Sequence, residues 1–287
     1  MRFSIVLLLA TACACGPGPG ETIGPGASDS ARPAVVVSVA PLADLARRVL
    51  GDAADVLTLL PPAANPTTFE PSMSTMAELE RAELVLRVGH AHFPLESTWL
   101  TPSRAGERGR VVVDCVDGGR DEDPHVWWDP AVAAACATRL ADAWIAARPA
   151  SAATVRSRLA ALLAELDARD AAAARRFEPY RERTFLVFHP AWGRFAARYD
   201  LRQLAVESHG HEPNAADLAS TIEAARDAGV VRIYSQPQFS PRGSTLVAAE
   251  TGARQVDLDP LASDWFGGFD AAVDTLIEGF RAEDASE

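Results

Sequence analysis

From Val35 onward the chain alternates two hydrophobic rhythms. Short runs of aliphatic and β-branched residues, VVVSV (35–39), DVLTLL (55–60), LVLRV (84–88) and RVVVD (110–114), are separated by stretches with helical spacing. A second series repeats the pattern with FLVF (185–188), RQLAV (202–206), VVRIYS (230–235) and RQVDL (254–258). Strands and helices in alternation predict parallel sheets flanked by helices. Helix starts are marked by Asp129-Pro130, by Asn214 and by Ser240-Pro241, which supply N-cap and first-turn residues. Between the two series Val155, Leu159, Leu162, Leu163, Leu166, Ala173, Ala174 and Phe177 follow a helical period. They predict one helix over 151–178, about 40 Å long at 1.5 Å per residue. A coiled-coil dimer is the competing reading, but Ala dominates the second half and no charged flank persists over enough heptads. A strut joining two α/β lobes suits the position better.

The predicted organisation is therefore an N-terminal α/β lobe over 34–150, a bridging helix over 151–180 and a C-terminal α/β lobe over 181–287. Each lobe is a mainly parallel sheet flanked by helices, with a ligand cleft between the lobes. Ahead of them, residues 1–15 read as a secretory signal: Arg2, an apolar run from Phe3 to Ala12, then small residues ending in Cys13 and Cys15. That run is too short to span a bilayer as a mature helix. Small residues before a Cys resemble a lipoprotein cleavage site, with Cys13 as the lipidated residue; simple cleavage without lipid is the alternative. Residues 16–33, rich in Gly and Pro, read as a flexible tether.

Composition changes the picture in two places. The formal charge of −12 argues against a nucleic-acid partner, which needs a basic surface, and is compatible with a cationic ligand. Beyond the signal only Cys115 and Cys136 remain, and no CxxC occurs, so a cysteine-built zinc site is excluded. A disulfide between these two and a pair of buried thiols stand as equal alternatives.

In open parallel sheets ligands bind beyond the carboxyl ends of the strands. His189 follows FLVF, Asp259 follows VDL, His125 lies in the loop after RVVVD, and Thr67 lies in the loop after DVLTLL. Two lobes would thus bring four loops to one cleft, and two imidazoles with a carboxylate suit zinc. Each residue alone has an ordinary use. His189 could be a hydrogen-bonded strand end, Asp259 before Pro260 a turn former, and His125 a ring packed on tryptophan. The repeated placement lifts the metal reading.

The segments VVVSVAPLADLARRVLG, ANPTTFEPS, AELVLRVG, DPHVWWDP, FHPAWGRFAARYDL, HEPNAADL, YSQPQFSP and TGARQVDLDPLA cover nearly all of Val35 to Phe280. In order and spacing they resemble the periplasmic metal-binding components of ABC importers for zinc and manganese, the helix-backbone class of solute-binding proteins. The resemblance implies two lobes bridged by a long helix, one metal in the cleft, and ligands at His125, His189 and Asp259. It also implies a partner permease in the membrane, a monomeric receptor that is not an enzyme, and a periplasmic or otherwise extracytoplasmic location. The family's remaining ligand is a His in a loop that here reads NPTTFEP, so that position holds Thr67.

A neutral hydroxyl is a poor zinc ligand beside imidazole or carboxylate. His92, then His211, are the substitutes of choice, with His90 and His209 as further accessory candidates and water as the remaining option. The His at 189 favours Zn2+ over Mn2+, because manganese members of the family commonly carry a carboxylate there. Gln236, after another strand, is a candidate to orient a ligand by hydrogen bonding. A diverged metal chaperone or adhesion protein with a weakened site is the alternative function. A zinc hydrolase is the least favoured: no HExxH and no GxSxG appears, and nothing places Glu70 or Glu212 near a metal-bound water.

Overall fold

Each of the eight apolar runs carries a β-strand. The computed structural model describes residues 32–61, 63–101, 109–118, 123–207 and 214–285. Strands β1 (Ala34–Val37), β2 (Asp55–Thr58), β3 (Leu84–Arg87) and β4 (Val111–Asp114) form one parallel sheet in the order β2-β1-β3-β4. Strands β5 (Thr184–Val187), β6 (Arg202–Ala205), β7 (Arg232–Ser235) and β8 (Arg254–Asp257) form a second parallel sheet in the equivalent order β6-β5-β7-β8. Central strands in such sheets are covered on both faces, which is why β3 opens on three apolar residues and is buried throughout. Its last residue, Arg87, is buried because its guanidinium pairs with both oxygens of Asp114 at 2.7 Å and donates to Leu100 O.

Helices α1 (Ala40–Leu50), α2 (Met73–Arg81), α3 (Pro94–Trp99) and α4 (Pro130–Ala147) accompany the first sheet. After a short 3-10 turn at Pro149–Ser151 comes α5 (Ala152–Phe177), then a second such turn at Glu178–Tyr180. This is the strut read from the sequence, and its buried residues include Val155, Leu162, Leu166, Ala173 and Phe177. Helices α6 (Gly193–Arg198), α7 (Ala215–Asp227), α8 (Pro241–Thr251) and α9 (Trp265–Asp284) follow. The marked helix starts hold: Asp129, Asn214 and Ser240 each accept a backbone N–H of the first turn.

The chain's last helix returns to its beginning. α9 packs on α1 and α5, and its first amide, Trp265 N, donates to Asp44 Oδ2 of α1 at 3.0 Å. The larger apolar core accordingly runs without a break from the first sheet through α4, α5 and α9 to Phe185, Trp192 and Tyr234. A smaller core of Leu186, Phe188, Val206, Ala225, Ile233 and Val247 lies behind the second sheet. Cys115 and Cys136 are joined as a disulfide with S–S 2.02 Å, which resolves the two alternatives and ties the end of β4 to α4. No helix among the described residues is long and apolar enough to cross a membrane. Cys13, the signal and the tether up to Ala31 lie outside the described residues.

Candidate metal centre

The loop between β4 and α4 is held from both sides. Asp129 caps α4, and Trp127 Nε1 and Trp128 Nε1 both donate to Pro260 O, at 2.7 and 2.8 Å. Trp265 Nε1 in turn donates to Trp127 O at 2.7 Å, and the Trp128 ring stacks on Trp192. Four tryptophans thus lock the DPHVWWDP loop onto the loops that follow β5 and β8. The second sheet changes direction between β5 and β7, the switch point at which open α/β sheets bind ligands. His189, just beyond β5, sits there, and the Gln236 side chain grips its backbone in both directions: His189 N donates to Oε1 at 3.1 Å, and Nε2 donates to His189 O at 3.0 Å.

These two loops bring His125 and His189 together, with Nε2 to Nε2 at 3.2 Å. Behind His125, Asp123 Oδ1 lies 2.8 Å from Nδ1 and accepts the His125 amide at 2.9 Å. Behind His189, Glu207 Oε2 lies 2.7 Å from Nδ1, and Phe239 stacks on the ring with centroids 4.5 Å apart. Burial pushes the His125 imidazole below its ordinary pKa, and neighbouring His189 adds to the shift while the Asp123 bond opposes it. Burial works against ionisation of Asp123, yet its bonds to His125 and the charge of Arg194 outweigh that and hold its carboxyl below the usual range. Gly193, at the start of α6, lets this carboxylate approach: a Cβ there would fall 2.7 Å from Asp123 Oδ2.

The histidine pair opens into a cavity of about 500 Å³, whose wall includes Thr67, His92, Asp123, His125, His189 and Glu207. Thr67 is exposed, and its hydroxyl donates to Asn65 Oδ1 at 2.6 Å, the same atom that takes its amide. His92 is exposed at the wall, while His90 is buried with its Nδ1 accepting the His92 amide. Asp259 does not line the cavity: its Oδ1 takes bonds from Gln238 Nε2 at 2.7 Å and from Leu261 N at 2.8 Å. His209, His211 and Glu212 lie outside the described residues. Among the described residues no three His, Cys, Asp or Glu side chains converge as a metal cluster.

Of the sequence-derived trio, the structure therefore gathers His125 and His189 and leaves Asp259 on the adjoining loop. Gln236 reaches the His189 backbone and not its ring. Asp123 and Glu207 were not singled out from the sequence. The strand-end rule applied to RQLAVE would have found Glu207, and the D-x-H spacing would have found Asp123.

Two parallel-sheet lobes and one bridging helix, with paired imidazoles at the cavity, define a two-lobed α/β protein. The family described as "Zinc-uptake complex component A periplasmic" matches residues 35–279, and the chain belongs to it. A high-affinity zinc uptake system protein ZnuA of Bacillus subtilis (strain 168) is 24% identical over 287 residues, covering 91% of this chain and 89% of that protein. The zinc-binding lipoprotein AdcA of Streptococcus pneumoniae serotype 4 is 26% identical over 254 residues, covering 80% of this chain. The chain spans only half of AdcA's length. A solved structure, titled "Crystal structure of ZnuA", superposes with TM-score 0.80 at 31% identity, covering 86% of this chain and 99% of that one. The periplasmic zinc-binding protein TroA from Treponema pallidum shares the fold, with TM-score 0.78 at 17% identity.

Proposed function

We propose that this protein is an extracytoplasmic receptor that captures Zn2+ between its lobes and hands it to an ABC-type permease for import. The observation that carries the reading is the 3.2 Å separation of His125 Nε2 and His189 Nε2 at the inter-lobe cavity. Two nitrogens bound to one tetrahedral zinc at 2.0–2.1 Å lie about 3.3 Å apart. The pair therefore has the spacing of two vertices of a zinc tetrahedron. Imidazole donors also favour zinc over manganese, which prefers oxygen.

Asp259 is the proposed third donor. Its loop is joined to the His125 loop through the two indole bonds to Pro260 O, so the ligands would be delivered by one rigid unit. The fourth position falls to His92, which shares the cavity wall, or to water, since Thr67 spends its hydroxyl on Asn65. Lipidation at Cys13, a monomeric state and docking on a permease complete the reading, on the strength of the N-terminal residues and the family. Titration calorimetry on chelator-stripped protein tests it. Stoichiometric zinc binding, tighter than for manganese, is expected; an intact fold that takes up no zinc at micromolar concentration would refute it.

A further inference from the structure

Each of the two facing imidazoles is backed by a carboxylate on the side away from its partner. Asp123 Oδ1 stands 2.8 Å from His125 Nδ1, and Glu207 Oε2 stands 2.7 Å from His189 Nδ1. Glu207 is a charged residue only 6% exposed, and such groups are buried almost solely where they are paired. We propose that Glu207 and Asp123 are positioning residues that hold His189 and His125 as Nδ1–H tautomers, so that both Nε2 lone pairs face the space a cation enters. The proposal rests on the reading of the two histidines as cargo ligands.

An ionised carboxylate can only accept hydrogen bonds, so at these distances the Nδ1 atoms must donate. A neutral imidazole carries one N–H, and with that proton on Nδ1 its Nε2 is a bare acceptor. Two such acceptors 3.2 Å apart repel each other, and a cation between them converts the repulsion into coordination. The opposite tautomer at either ring would point an N–H into the site and block it. Glu207 sits on the Nδ1 face of His189, so it shapes the ligand ring without reaching the ion bound at that ring's Nε2. Carboxylates placed in this way fix ring orientation and strengthen the imidazole as a donor. A site with Thr67 where its family places an imidazole relies the more on the two rings it keeps. Phe239 stacked on His189 and the Gln236 grip on its backbone restrict the ring further, so that the carboxylate sets its tautomer within an already fixed orientation.

The test uses the full chain, labelled with 15N at histidine and stripped of metal. Long-range 1H–15N spectra read the tautomer of His189, and competition with a chromophoric chelator reads zinc affinity. Wild type should show His189 as Nδ1–H. Glu207→Ala should populate the Nε2–H form and weaken zinc binding by about 10–100-fold, and Glu207→Gln, which retains one carbonyl acceptor of the same shape, should recover part of the loss. Should Glu207→Ala fail to fold, Glu207→Leu, which fills a similar volume and offers no acceptor, gives the same two readings. His189 remaining Nδ1–H in the variant that lacks an acceptor would overturn the proposal, even if zinc affinity falls, because the effect would then be structural. Unchanged zinc affinity in a variant whose tautomer has switched would overturn it as well. A tautomer that is Nδ1–H in wild type and switches in Glu207→Ala, in a protein whose wild type takes up no zinc, would refute the cargo reading and leave the assignment of Glu207 standing.

Discussion

Thr67 stands in the loop NPTTFEP, where the resemblance leads one to expect a histidine, and its surroundings say what a hydroxyl does there. The loop keeps its shape through Asn65 Oδ1, which takes both the Thr67 hydroxyl and its amide. The side chain remains on the cavity wall, so an imidazole there could re-enter the site. Thr67→His is expected to tighten zinc binding about tenfold or more, the scale on which individual shell residues act; competition against a calibrated chelator would measure it. His125 provides a second residue-scale prediction, in pH. Burial holds its folded pKa below the ordinary value of about 6.5, so between the two values the unfolded chain binds the extra proton. Stability of the metal-free protein therefore rises with pH through that window and is lost as pH falls below about 6.5. The urea midpoint of wild type should drop more than that of His125→Gln on going from about pH 7 to about pH 5.5. Equal drops would show that His125 does not carry the effect.

At the scale of elements, the chain's local signals were sufficient. Eight apolar runs became eight strands, and each marked N-cap became a helix start because its side-chain oxygen satisfies amides that the helix leaves unpaired. Asn214 accepts from both Ala216 N and Asp217 N, at 2.9 and 3.0 Å. Asn214→Ala should cost about 1 kcal/mol, within the range for lost caps. Calorimetry would register this as a melting temperature lower by about 2 °C for a domain of this size. A change confined to experimental error would show that α7 does not depend on this cap. The long α5 was legible for the same reason: its apolar stripe has one period over the whole helix.

The whole molecule decides how the lobes are joined. α9 comes last in sequence but packs on α1 and α5, and its N-terminal turn meets the tryptophan loop. Gly268 of α9 makes that meeting possible, since a Cβ would fall 2.6 Å from Trp128 Cη2 and 2.8 Å from Ala262 Cβ. Gly268→Ala should therefore destabilise by about 1–3 kcal/mol, as overpacked cores do. Because Trp128 and Trp127 anchor the His125 loop, zinc affinity should fall with it. Lower stability with full affinity would show that the loop holds His125 without α9. None of this was readable from the chain, because the two glycines of WFGG give no local sign of what packs against them.

The sequence by itself determined the alternation of strands and helices, the strut between the lobes and the strand-end positions of His125 and His189. Those are short-range properties, set by hydrophobic period, capping chemistry and the rule that parallel sheets bind ligands at their carboxyl ends. Only the tertiary structure decided that the Nε2 atoms face each other at 3.2 Å, that Asp259 is turned to Gln238, and that Asp123 and Glu207 back the two rings. Apart from the Asp123–His125 bond, which spans two residues, these depend on contacts between residues far apart in the chain, such as the 64-residue separation of the histidines, and on which side of each ring meets its neighbour. A one-dimensional pattern can bring such residues to the same cleft; packing alone aims their lone pairs.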